Sequence, residues 1–187
     1  MNELRRVIEN YRRCHDEFII ENFKYKHNGE TGYDNIFDEN FWMRKDLIFE
    51  LYNDYGAEDR PLIKWLLKEE RKGFELCTPV YTVDLCAFML YRYMKWDDVY
   101  DLFEAKFGGG TDSKVYIDIE LTFGFNRRQM KEYLNYKQKN KRKNKEIIRM
   151  VEYYESIPNT KFKSREEYIQ YFETKKIISI KNDLEGV

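Results

Sequence analysis

A chain of 187 residues with 42% hydrophobic and 17% aromatic residues can bury one substantial core, which excludes an intrinsically disordered protein. Three prolines and nine glycines are too few turn residues for an all-β protein, and three cysteines without a CxxC pair exclude a disulfide-stapled secreted domain. The net charge of −1 hides a strong asymmetry, because residues 127–149 carry +8 while residues 1–126 carry −8.

The first predicted helix spans 2–23, with Leu4, Ile8, Tyr11, His15, Phe18, Ile19 and Phe23 recurring every three or four residues as one apolar stripe. The segment KHNGETGYDN then reads as a loop, since Gly29 and Gly32 favour turns over helix propagation. A repeat-like core is expected over 38–136, because three segments beginning at Asp46, Asp84 and Asp118 share an aromatic-rich stretch followed by a second amphipathic turn. The anchors of those second helices, Ile63/Leu66/Leu67, Val99/Leu102/Phe103 and Met130/Tyr133/Leu134, all follow i, i+3, i+4, and Asp59, Asp97 and Asn126 are the expected N-caps. Within KVYIDIELTFGF the alternation of Val115, Ile117, Ile119, Leu121, Phe123 and Phe125 with polar positions is that of a strand, so 114–125 is open between helix and a short strand or hairpin.

Residues 137–146 form a basic connector or a solvated helix surface, after which Ile147, Ile148, Val151 and Tyr154 restart a helical stripe. Pro158 breaks the chain, and Ser164 with Glu167 makes a capping box for a last helix; the tail from Ile177 has no clear periodicity. The fold expected over 1–187 is a single all-α domain of irregular helical-hairpin repeats or an orthogonal bundle, with C-terminal helices over 147–187. No window approaches about 18 uncharged apolar residues, so a soluble, cytoplasmic protein with no membrane contact is expected.

Glu104-Ala105-Lys106 and Gln129-Met130-Lys131-Glu132-Tyr133 resemble the ExK and QxxxY motifs of RecB-like nucleases in the PD-(D/E)xK superfamily. That resemblance implies acidic residues on a divalent metal, with Asp84, or Asp97 or Asp98, as the further ligand, Lys106 assisting water attack on phosphate, and Gln129 and Tyr133 supporting the site. The helical spacing of Val99, Leu102, Phe103 and Lys106 departs from the strand that an ExK motif occupies. Phe103-Glu104-Ala105-Lys106, Asp112, Ile117-Asp118-Ile119 and Gly124 also form a pattern similar to small bacterial helical proteins of uncharacterised function, which implies a fold type more than an activity.

Other constellations are thin. Gly108-Gly109-Gly110 lacks the P-loop spacing and reads as a helix stop before a Thr, Asp or Ser cap. Cys14 and His15 are adjacent on a helix and point about 100° apart, so they form no dyad; Cys77 and Cys86 are expected as small core residues. Lys137, Lys139, Lys141, Arg142, Lys143 and Lys145 could neutralise phosphates in a nucleic-acid-binding alternative. The leading expectation is non-catalytic: a cytoplasmic module that binds another protein, immunity-like or regulatory, through Trp42, Trp65, Trp96, Tyr91 and Tyr93, with no cofactor and no metal.

Overall fold

The computed structural model describes residues 2–32, 36–73 and 79–185, and shows an all-α fold; the position expected for Cys77 lies outside the described residues. Helix α1 (Glu3–Cys14) starts where the Asn2 side chain accepts from the Arg5 amide at 2.7 Å, and it buries Ile8 and Tyr11. It ends earlier than the periodicity predicts. His15 takes a left-handed conformation (φ 52°), and Asp16 accepts from the Phe18 amide to start a separate 3-10 turn, Glu17–Phe23. The change of direction turns Ile20 and Phe23 inward and leaves His15 exposed and Phe18 82% exposed, so neither belongs to the buried stripe.

Four helices follow: α2 (Phe41–Tyr52), α3 (Arg60–Lys72), α4 (Val80–Arg92) and α5 (Val99–Phe107). Helix α4 is buried continuously from Thr82 to Tyr91, as a nearly unbroken apolar segment requires, and α2, α3 and α5 pack around it. The entries to α3 and α5 use one local device. A 3-10 turn (Ala57–Asp59, Trp96–Asp98) ends in a buried aspartate whose Oδ2 accepts from the amide three residues earlier, Gly56 at 2.8 Å and Lys95 at 2.6 Å. An arginine from an earlier helix neutralises each: Arg12 reaches Asp59 at 2.8 Å and Arg60 reaches Asp98 at 2.5 Å. These aspartates therefore brace the preceding turn instead of capping first-turn amides, and at α5 the residue is Asp98, with Asp97 exposed.

The third segment departs from the helix-pair plan. Helix α6 (Thr111–Tyr116) begins after the glycines, Ile117 and Asp118 are extended, and Ile119–Phe123 is a 3-10 turn. The strand alternation fails because Glu120 and Thr122 are buried along with Ile119, Leu121 and Phe123, so neither face of this segment meets solvent. Gly124 follows with φ 63°, and a Cβ there would collide with the Met130 methyl. Gly124→Ala is expected to destabilise the fold by about 1–3 kcal/mol, read as a lower urea midpoint, because Met130 can shift but the backbone conformation cannot be kept without strain.

Helix α7 (Arg127–Tyr136) is capped by Asn126, which accepts from Arg128 and Gln129 amides at 3.0 and 3.3 Å, as the sequence predicts. Of the two readings of the basic stretch beyond it, helix holds for most and connector only for a short turn at 137–140: α8 runs Lys141–Glu155. Buried Asn144 locks that turn, donating to Leu134, Lys137 and Lys139 carbonyls at 3.0–3.1 Å and accepting from Tyr100 at 2.6 Å. The Ser164/Glu167 capping box opens α9 (Arg165–Tyr171), a π turn spans Phe172–Lys176, and α10 is Ile177–Glu185. Tyr168, Phe172, Lys176, Ile180 and Leu184 are all buried at four-residue intervals, a period that an α-helix of 3.6 residues per turn cannot hold without one wider turn. Beyond that turn the tail, read as having no clear periodicity, is helix and buries Ile177, Ile180 and Leu184 at i, i+3 and i+7.

Candidate functional site

Two places concentrate chemistry: an ionic centre inside the fold and the outer face of α8. The first assembles around Asp84, fully buried on α4. The π turn aims Lys176 at it, with Nζ 2.8 Å from Asp84 Oδ2, 2.6 Å from Asp118 Oδ2 and 2.9 Å from the Tyr116 carbonyl. The Asp84 contact is coulombic, since no donor among the described residues is aligned with either of its oxygens. Burial pushes Asp84 up to about 6 against the opposing pull of Lys176. Burial also works against the Lys176 charge, but Asp84 and Asp118 outweigh it and its pKa is raised.

Lys106 enters the same region from α5, donating to the Lys114 carbonyl at 2.7 Å and to the Ile117 carbonyl. Burial, reinforced by Lys176, lowers it to about 8 although Asp118 and Asp84 favour its charge. Two lysines thus clamp the 114–118 turn from opposite helices, and Tyr168 adds a bond to Asp118 at 3.2 Å. Of the Phe-Glu-Ala-Lys and Ile-Asp-Ile pattern of the sequence, Lys106, the Ile117 carbonyl and Asp118 take part in this clamp.

The residues of the nuclease-like pattern are divided between inside and outside. Asp84 and Lys106 share the buried centre, whereas Glu104, two residues before Lys106 and about 200° around the same helix, faces Arg71 (3.4 Å) and Lys143. Gln129 is exposed, and Tyr133 stacks on Trp96 and bonds Asp97. Among the described residues no three His, Cys, Asp or Glu side chains gather as a metal site, so the donors for a divalent ion are not assembled.

The aromatic contacts expected at a protein interface are also divided. Trp65 and Tyr91 are core residues, and Tyr91 carries the Arg165 guanidinium 4.4 Å above its ring. Trp96 is half-buried between Phe125 and Tyr133, and Tyr93 packs edge-on against Tyr55. Of the five only Trp42 is exposed (43%), beside exposed Met43 and beneath Lys45.

The basic run sorts by side of α8. Lys137 pairs with Asp97, and Lys143 pairs with Glu104 while lying 4.6 Å over the Phe103 ring. Lys139, Lys141, Arg142 and Lys145 are exposed and make no ion pair among the described residues. Three of them continue into a stripe that runs past the basic segment 127–149: Lys141, Arg142, Lys145, Glu146, Arg149, Met150 and Tyr153 line an open depression of about 880 Å³. Arg149, Met150 and Tyr153 lie at i+7, i+8 and i+11 from Arg142, a helical spacing that is readable in the sequence. Lys176 and Arg44 left no such signal, because only burial distinguishes them from surface charges.

No family model, curated protein or solved structure matches the chain.

Proposed function

We propose that the protein is a non-catalytic module of the bacterial cytoplasm that binds another protein, in an immunity-like or regulatory role. The observation that carries this reading is the fate of the reactive side chains: Lys106 and Asp84 are consumed in holding the fold, and Glu104 faces away in ion pairs. What remains outside is recognition chemistry, namely exposed Trp42 and Met43 and a cationic helix face ending in an exposed tyrosine. No described helix is long and apolar enough to cross a membrane.

With Mg²⁺ or Mn²⁺ the protein is expected to leave single- and double-stranded DNA and RNA intact, and immobilised protein is expected to capture a stoichiometric protein partner from cells of its source. Metal-dependent cleavage abolished by Glu104→Ala would overturn the reading. The second reading, nucleic-acid binding through 127–149, draws on the four exposed cations of the basic run and requires an affinity that drops steeply with salt.

A further inference from the structure

The outer face of α8 has a graded composition. Its N-terminal half presents Lys141, Arg142 and Lys145, Arg149 follows, and the C-terminal half presents Met150 and Tyr153. Tyr153 is 61% exposed, and its ring is held edge-on by Tyr154, so an aromatic anchor stands ready without a large ordering cost. From Arg142 to Tyr153 the stripe is about 16 Å long, three turns of a helix.

We infer that this face docks an acidic segment of a protein partner, with carboxylates on Arg142, Lys145 and Arg149 and an apolar side chain against Met150 and Tyr153. The inference rests on the protein-binding reading above and specifies its surface and its ligand chemistry. The inward side of the basic run already shows this mode within the chain. Lys143 lies over the Phe103 ring and holds Glu104, a cation seated on a ring taking a carboxylate, and Lys137 donates to the Tyr133 hydroxyl and holds Asp97.

A duplex fits less well. The stripe ends in apolar atoms with no charge to meet phosphate, and Glu146 and the net charge of −8 over residues 1–126, which oppose any anion, oppose a duplex with about two charges per base pair more than a short acidic segment.

The test uses full-length protein and three fluorescein-labelled probes: an amphipathic peptide of about 12 residues with Glu at i, i+3, i+7 and Leu and Phe on the same face, poly-glutamate of equal length, and a DNA duplex of about 20 base pairs. The amphipathic peptide is expected to bind about tenfold tighter than poly-glutamate. Arg142→Glu with Lys145→Glu should weaken it tenfold or more, Tyr153→Ala by about fivefold, and Trp42→Ala not at all. Glu is a good helix former and these positions are solvent-facing, so circular dichroism should show unchanged folding. Absence of peptide binding, indifference to charge reversal, or tighter binding of the duplex would each overturn the proposal. If the charge-reversed variant still captures the cellular partner, this docking face is wrong and the protein-binding reading stands; metal-dependent cleavage would remove that reading itself.

Discussion

Arg44→Met is expected to cost about 3–5 kcal/mol of stability, a fifth or more of the roughly 5–15 kcal/mol that a native domain commonly has. Arg44 is fully buried on α2, with Nε 2.5 Å from Glu70, Nη2 2.5 Å from Asp38, and Nη1 3.2 Å from the Phe23 carbonyl. The guanidinium thus ties α2, α3 and the segment before α2 in three directions, and Thr82 of α4 completes the Glu70 shell. Removing it strands two carboxylates in the core. Burial already raises Glu70 above its ordinary value even with Arg44 opposing. Its folded pKa therefore exceeds its unfolded one, so its contribution is most favourable below the unfolded value and is lost as pH rises through the folded one. The variant should be closest to wild type near pH 4.5 and furthest at pH 8, in urea titrations at both. Arg44→Lys restores the charge but offers one nitrogen for three directions, so about half the loss should remain. A loss under about 1 kcal/mol, equal at both pH values, would refute the assignment.

Lys176→Met should have a comparable effect, because it leaves Asp84 buried without its countercharge and frees one side of the clamp on the 114–118 turn. The pH dependence has a definite sign. In the wild type Asp84 titrates near 6 when folded against 3.8 for the free side chain, so its contribution falls as pH rises from about 4 to 6, by on the order of 3 kcal/mol. Lys106 is lowered to about 8 from 10.5, so the unfolded chain holds the extra proton between those values and stability rises with pH there. Without Lys176 the Asp84 penalty should deepen, making the variant's deficit larger at pH 7 than at pH 4.5. Adding Asp84→Leu should recover at least half of it at pH 7, since two buried charges replaced by apolar groups cost far less than one left alone. If the double variant is no more stable than the single one, the ionic centre does not account for the loss.

The helical class, the Asn126 cap, the Ser164/Glu167 capping box, the glycine stop before Thr111 and the buried anchors of α3 and α5 were all determined by the sequence itself. Each depends on amides and side chains within four residues, the range over which periodicity and capping act. Tertiary structure decided which charges went inside. Arg44 meets Glu70 across 26 positions and Lys176 reaches back 58 to half-buried Asp118, and nothing local separates Arg44, Glu70 or Lys176 from the solvated charges around them. It also decided the form of 111–123 and the π turn: two buried lysines hold the first, and the second exists because five core contacts recur every four residues. The same limit applies to the candidate site. The cations of α8 are plain in the sequence, but only packing shows that Lys143 and Lys137 are spent on the chain's own carboxylates while Arg142, Lys145 and Tyr153 face outward.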